Sequence, residues 1–211
     1  MKSTLEALNW RYATKQFDPN RTLTGEQLHL LKESLRLAPS SFGLQPWHFV
    51  IVENQQLKEQ LVGASWGQTQ VREASHVFVI CRKMDITVED VDAFVADTAA
   101  ARGQSVEELQ GFRGVMVNFI QRMSHEQKID WMSRQIYIAL SSLMTVAAYE
   151  GIDACPMEGI LPDQYSKILD LDQLGIVPIL ACPVGFRSDA DKYAGAPKVR
   201  HTESAVFTSM A

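Results

Sequence analysis

The sequence predicts an α+β fold, in a single helix-rich domain that spans residues 1–211 and contains few strands. Three observations support this fold class. Several helix starts carry capping residues, the strand-like apolar runs are short and few, and one long segment is apolar or small on nearly all sides. The chain has neither an internal repeat nor a low-complexity linker, so no boundary divides it into domains.

The helix starts are marked by capping boxes, in which a Ser or Thr is followed three residues later by Glu or Gln. Apolar periodicity predicts further helices over about residues 87–101, 106–123 and 126–149. The last of these is apolar on nearly all sides, which places it inside the domain or inside a dimer interface. The capping pairs are Ser3 with Glu6, Thr24 with Gln27, and Ser105 with Glu108.

The strands are predicted from runs of bulky apolar residues. These runs cover residues 48–52 ("HFVIV"), 76–81 ("HVFVIC") and 176–186 ("IVPILACPVGF"). The polar segment after residue 186 has no clear period, and such a tail frays unless something holds it.

Composition limits the classes of function. The 46% hydrophobic content supports a sizeable core, and the net charge of −5 argues against a nucleic-acid-binding protein. No segment approaches 18 consecutive apolar residues and no secretory signal is visible, so we expect a cytoplasmic protein without membrane spans. The three cysteines, Cys81, Cys155 and Cys182, sit in apolar stretches and are predicted to be buried, reduced thiols.

Two basic segments lie near the two ends of the chain. "RYATKQFD" begins at Arg11 and carries Lys15, and two cations among hydroxyl and amide groups suit a phosphate. In "PKVRH", Lys198 and Arg200 alternate, so both point the same way in an extended segment and could form a second phosphate grip. The alternatives are an exposed basic loop and a solvated basic tail.

Two further segments combine turn residues with polar groups. "APSSFGLQPW" offers Ser40, Ser41 and Gly43 between a helix and a strand, and the glycine lets another group approach the backbone. "CPMEGIL" contains Pro156 and Gly159, which indicate a turn whose backbone amides can face a ligand. Ordinary structural turns remain the alternative for both.

Several common signatures of other functions are missing. The chain has no G-x-G-x-x-G, no Walker A sequence and no G-x-S-x-G motif. Its five histidines show no metal-ligand spacing, so no metal site is predicted.

In their order and spacing, five blocks resemble the bacterial nitroreductase family, over nearly the whole chain. The resemblance implies a central mixed or antiparallel sheet flanked by helices and an intertwined homodimer whose C-terminal arm is exchanged. It also implies FMN as cofactor, bound between the subunits, and NADH or NADPH as electron donor. The blocks are "RYATKQFD", "APSSFGLQPWHFVIV", "WGQTQVREASHVFVIC", "GIDACPMEGI" and "PVGFRSDADKYAGAPKVR".

The resemblance assigns FMN-binding roles to residues in each block. Arg11, Lys198 and Arg200 would hold the phosphate, and Lys15 would lie near the N1–O2 edge of the ring, where positive charge stabilises the reduced flavin. A backbone amide of the turn at residues 156–159 would donate to the hydride-accepting N5, so no side chain is predicted to be catalytic. The remaining matches are Tyr12 and Ala13 in the N-terminal loop, Pro156, Met157, Glu158 and Gly159 in the turn, and Ser40, Ser41 and Gly43, which would reach the partner subunit's FMN.

One block departs from the family pattern. Some members contact the pyrimidine edge of the ring with Asn and Lys, where this chain offers Gln68 and Gln70. A glutamine amide still pairs with N3–H and O4, but the lysine charge is lost. At position 43 some relatives have Asn, so here only the backbone of Gly43 contributes.

The implied activity is two-electron reduction of a small-molecule oxidant, such as a nitroaromatic, a quinone or a free flavin, by a ping-pong mechanism. One alternative is a specialised enzyme of the same fold, such as a reductive dehalogenase or a flavin-consuming enzyme. Such enzymes have a lid, for which residues 85–123 provide the place, but no charged or aromatic cluster in that segment indicates one substrate. The other alternative is a flavin carrier without activity.

Overall fold

A computed structural model describes residues 3–210 of the chain. Its strands are β1 (Trp47–Val52), β2 (His76–Lys83), β3 (Asp153–Ala154) and β4 (Ile176–Gly185). Short 3₁₀ turns cover Ser41–Gly43, Glu107–Leu109 and Asp172–Leu174. The α-helices are α1 (Thr4–Trp10), α2 (Gly25–Arg36), α3 (Gln55–Ala64), α4 (Gln70–Glu73), α5 (Val88–Arg102), α6 (Gln110–Gln121), α7 (His125–Tyr149), α8 (Pro162–Leu169) and α9 (Glu203–Val206).

All three predicted capping boxes are confirmed. The Ser3 and Thr24 hydroxyls accept from the amides of Glu6 and Gln27 at 3.4 and 3.2 Å, and the amides of Ser3 and Thr24 donate back to those side chains. The reciprocal pair of Ser105 with Glu108 precedes a 3₁₀ turn rather than an α-helix. The predicted helix over residues 106–123 is therefore that turn followed by α6.

The predicted strands are confirmed and form one antiparallel sheet in the order β1-β2-β4-β3. The short strand β3 was not predicted, because two residues carry no detectable alternation. It matters for the site, since Ala13 forms a parallel bridge with Ala154 and so adds the N-terminal segment to this edge of the sheet.

The sheet is covered on both faces. Along β2, Phe78 and Ile80 face α2 and α7, whereas Val77 and Val79 face α3 and α8, as strand alternation requires. Helix α7 packs on one face through Ile136, Leu140, Leu143 and Ala147, which confirms that this predicted helix contributes to the core.

A third cluster joins α5 and α6 to the start of α7, and it contains aromatic contacts that the sequence did not indicate. Phe42 lies 5.1 Å from Phe119 between ring centroids, Phe119 lies 5.7 Å from Trp131, and Phe112 lies near both Phe42 and Phe94. These rings are far apart in sequence, and helix packing brings them together. The expectation that no cluster in residues 85–123 indicates one substrate stays a prediction.

The cysteines behave as predicted, since Cys81, Cys155 and Cys182 are all buried and free of disulfides. Burial raises the pKa of the Cys81 thiol to about 12, which keeps it protonated and unreactive. Within residues 3–210, no helix combines the length and the apolarity needed to cross a membrane.

Candidate functional site

The N-terminal segment after α1 runs between β3 and the chain that leaves β4. Ala13 bridges to Ala154, and Phe17 forms an antiparallel bridge with Arg187. Thr14 is fully buried and its hydroxyl donates to the Asp153 carboxylate at 3.3 Å. These contacts hold the polar segment after α1 in place along the β3 edge of the sheet.

The C-terminal segment folds back onto this N-terminal segment. The Lys198 ammonium donates to the backbone carbonyls of Leu8 and Arg11, both at 2.5 Å. Asp191 accepts from the Tyr12 hydroxyl at 2.9 Å and from the amides of Lys15 and Gln16 at 2.8 and 3.1 Å. The tail is thus held to the N-terminal segment at Asp191 and at Lys198, whereas residues 199–210 are exposed.

Between the two segments lies a cleft of about 500 Å³. It brings together the two basic segments that the sequence singled out, although almost the whole chain separates them. The predicted residues Arg11, Tyr12, Ala13, Lys15, Lys198 and Arg200 line it, together with Trp10, Arg187 and Tyr193.

The cleft carries an excess of positive charge. Within residues 3–210, no ion pair neutralises Arg11, Lys15, Lys198 or Arg200. Burial, followed by the nearby cations Arg11 and Arg200, lowers the pKa of Lys198 below its ordinary value. Because these neighbouring cations repel one another, an anion bound between them would be stabilised. A phosphate group suits the N–H donors of Arg11, Lys198 and Arg200.

Arg187 belongs to the wall of the cleft and is not part of this excess. Its guanidinium pairs with Asp153 and lies over the rings of Trp10 and Tyr12, 4.1 and 4.6 Å from their centroids. Burial and the hydrogen bond to Asp191 raise the pKa of Tyr12 to about 12, so its hydroxyl stays protonated and donates.

The turn at residues 156–159 lies close along the chain to the Ala13 bridge, but it does not line the cleft. The amide of Met157 donates to the Ala181 carbonyl at 2.8 Å, and Pro156 has no amide hydrogen. Any amide that this turn offers to a ligand therefore comes from Glu158 or Gly159. The Glu158 carboxylate accepts from the Tyr137 hydroxyl at 2.6 Å.

Gln68 lies against this turn. Its amide nitrogen donates to the Gly159 carbonyl at 3.4 Å, and a Cβ at Gly159 would lie 2.9 Å from both that nitrogen and Cε3 of Trp66. A side chain at position 159 would therefore displace Gln68 or Trp66 from this close approach. Gln70, in contrast, is buried at the first residue of α4.

The turn with Ser40, Ser41 and Gly43 lies elsewhere in the subunit. The Ser41 amide donates to the Gln135 side chain on α7 at 2.9 Å, and the Ser40 hydroxyl accepts from the Gln45 amide at 2.9 Å. Gly43 has a φ of +83° and faces the ring of Phe94, so any side chain there would be strained. None of the three lines the cleft, and their predicted contact with a partner's cofactor stays a prediction.

Several residues of the site escaped sequence reasoning, among them Asp191 and Arg187. Asp191 was passed over because a polar tail offers no period on which to place it. Its one local signal is the hydrogen bond from the amide of Tyr193, two residues on, which is an Asx turn.

Comparison with known proteins gives consistent matches. A model of the nitroreductase family matches residues 8–186. A Staphylococcus haemolyticus protein named as a candidate NAD(P)H nitroreductase is 35% identical over 199 residues, which cover 90% of this chain and 91% of the relative.

Solved structures share the fold. A nitroreductase-like protein of Streptococcus mutans superimposes with a TM-score of 0.86 at 25% identity, covering 98% of both chains. A nitroreductase of Exiguobacterium sibiricum, solved in complex with FMN, has a TM-score of 0.83 at 23% identity and covers 100% of this chain and 98% of its own. The central antiparallel sheet flanked by helices is thus an arrangement that these proteins have in common.

Proposed function

Because this chain belongs to the nitroreductase family, we propose that it is an FMN-dependent oxidoreductase that uses NADH or NADPH to reduce small-molecule oxidants. Nitroaromatics, quinones and free flavins are the expected oxidants. The observation that carries the proposal is the unneutralised cation set of the cleft, which suits the phosphate of a cofactor held without a covalent bond.

The chain's own residues divide the work of binding. Arg11, Lys198 and Arg200 hold the phosphate, because their charges converge on the cleft without carboxylate partners. Lys15 supplies the positive charge that favours the reduced form of the ring. When bound, FMN supplies the redox chemistry, since its ring takes a hydride from NAD(P)H and delivers two electrons to an oxidant.

The site is completed by a second copy of the chain. Ser40, Ser41 and Gly43 form an ordered turn outside the cleft, and their block resembles the family segment that reaches the partner subunit's FMN. We therefore assign them to the FMN of the partner subunit in a homodimer. Gln68, Gln70 and the turn at residues 156–159 are assigned to the ring.

The test begins with the purified protein. It should be yellow and should release about one FMN per subunit on denaturation, and NADH or NADPH should bleach the bound flavin. A protein that binds FAD, or no flavin, would contradict the proposal. A protein that binds FMN but is not bleached by either nucleotide would be the flavin carrier.

We expect a ping-pong mechanism, because NAD(P)H and the oxidant would occupy the same binding place in turn. Initial rates measured against NAD(P)H at several oxidant concentrations should give parallel lines in double-reciprocal plots, as expected for a ping-pong mechanism. Intersecting lines would require both substrates to be bound at once and would refute the shared place.

A further inference from the structure

Asp191 lies at the junction of the two chain segments that form the cleft. It is 4% exposed, although it belongs to a polar segment whose neighbouring residues, Ala190 and Lys192, are exposed. Burying a carboxylate is costly unless hydrogen bonds compensate for the lost water. The hydrogen bonds that Asp191 makes should therefore explain why the fold buries it.

Both carboxylate oxygens of Asp191 accept hydrogen bonds. Oδ2 accepts from the Tyr12 hydroxyl and from the amides of Lys15 and Gln16, between 2.8 and 3.1 Å. Oδ1 accepts from the amide of Tyr193 at 2.9 Å. One side chain thus joins the N-terminal segment, at three donors, to the start of the C-terminal segment.

These contacts determine where the phosphate-binding cations lie. The segment held through the Tyr12 hydroxyl and the amides of Lys15 and Gln16 carries Arg11 and Lys15. The backbone held at the Tyr193 amide leads on to Lys198 and Arg200. On the basis of the proposed function, we propose that Asp191 is a positioning residue, which aligns the two segments so that their cations converge on the FMN phosphate.

Because Asp191 is charged, the direction in which its substitution changes FMN affinity tests the proposal. A carboxylate beside a phosphate site repels the phosphate, so Coulomb's law alone predicts that removing the charge tightens FMN binding. A positioning role predicts the opposite. Asparagine has the same size but only one acceptor oxygen, so in either orientation its NH₂ group faces an N–H or O–H donor.

The first experiment compares Asp191→Asn with wild type and with Asp189→Asn. Asp189 is exposed in the same segment, so its substitution removes the same charge without those contacts. FMN release is followed by recovery of flavin fluorescence on serial dilution of the loaded protein. We expect FMN binding in Asp191→Asn to be about tenfold to a hundredfold weaker, and unchanged or slightly tighter in Asp189→Asn.

Riboflavin separates positioning from general damage, because it has the ring of FMN without the phosphate. Asp191→Asn should lose much more affinity for FMN than for riboflavin. Trypsin should also cleave the loaded variant faster after Lys192, since the segment is no longer held. Equal losses for FMN and riboflavin would overturn the proposal, as would wild-type or tighter FMN binding.

A milder variant decides the matter if Asp191→Asn does not fold. Tyr12→Phe removes one donor to Oδ2 and keeps the ring beneath Arg187. It should weaken FMN binding by about tenfold or less and leave riboflavin binding unchanged; an unaltered affinity for FMN would then refute the positioning role. If wild type and Asp189→Asn bind no FMN, it is the proposed function that fails.

Discussion

The carboxylate of Asp153 and the guanidinium of Arg187 form a buried ion pair, with Oδ1 2.6 Å from Nη2, behind the wall of the cleft. The Asp153 side chain is 3% exposed and also accepts from the Arg187 amide at 2.8 Å. The pair fastens β3 to the segment after β4, and Arg187 in turn supports Trp10 and Tyr12. The cleft is therefore built on an electrostatic contact inside the fold.

We expect Asp153→Ala to destabilise the protein strongly, because it leaves the Arg187 guanidinium, whose side chain is only 20% exposed, without its carboxylate partner. Breaking such a pair costs about 3–5 kcal/mol, measured as the free energy of unfolding in urea. Glu33→Ala is the matched control, since it breaks the exposed pair with Arg36 and should have little effect. Equal effects of the two variants would contradict the importance given to the buried pair.

Arg200→Ala should weaken FMN binding without altering the chemistry of the bound ring. Losing one charge-assisted hydrogen bond costs about 1.5–3 kcal/mol, or roughly a tenfold to hundredfold loss of affinity. Turnover at saturating FMN should change little. Lys192→Ala removes the same charge from the same segment, outside the cleft lining, and should bind FMN like wild type.

Lys15→Ala should show the reverse pattern. Affinity for FMN should fall modestly, but the midpoint potential of the flavin should drop, because a positive charge no longer stabilises the reduced form. Bleaching by NAD(P)H in stopped flow should be slower. A wild-type potential in Lys15→Ala together with a lowered potential in Arg200→Ala would mean that the two roles are exchanged.

The stability of the protein should decrease in mild acid because of His76. Burial is the main reason that the pKa of His76 is lowered, and it outweighs the opposing effect of Glu53. The unfolded chain therefore takes up a proton near pH 6.5, before the folded protein does, so stability falls as pH decreases below about 6.5. Urea midpoints between pH 8 and pH 5 measure this fall.

His76→Gln should flatten that pH dependence, whereas His48→Gln, at an exposed position on β1, should preserve it. The Ser75 hydroxyl accepts from the Leu23 amide at 2.9 Å and lies 2.8 Å from Nδ1 of His76. The same slope in both variants would assign the acid sensitivity to other groups.

The proposed homodimer requires a light-scattering mass of about twice the 23.7 kDa of the chain. Apolar side chains for such a contact are exposed at Leu5 on α1 and at Tyr137 and Ile138 on α7. Ile138→Glu should shift the protein towards monomer and release flavin. Leu174→Glu, at an exposed position outside α1 and α7, should remain dimeric, and a flavin-loaded monomer would exclude the two-chain site.

The sequence alone determined the capping boxes, the three longer strands and the main long helices of the chain. Capping boxes depend on residues three apart and core strands on neighbouring residues, so both could be predicted without knowing the fold. The two basic segments could be recognised for the same reason, since the relation of Lys198 to Arg200 is local. Their order along the chain, together with the other blocks, also identified the family.

Tertiary structure decided which of these segments meet. Asp191 belongs to the site because backbone amides more than 170 positions away converge on its carboxylate, and no local pattern encodes that encounter. Packing likewise decides that the Met157 amide donates to the Ala181 carbonyl. It also brings together the rings of Phe42, Phe119 and Trp131. Periodicity reports which face of an element is buried, whereas contacts between distant segments depend on how those faces pack together.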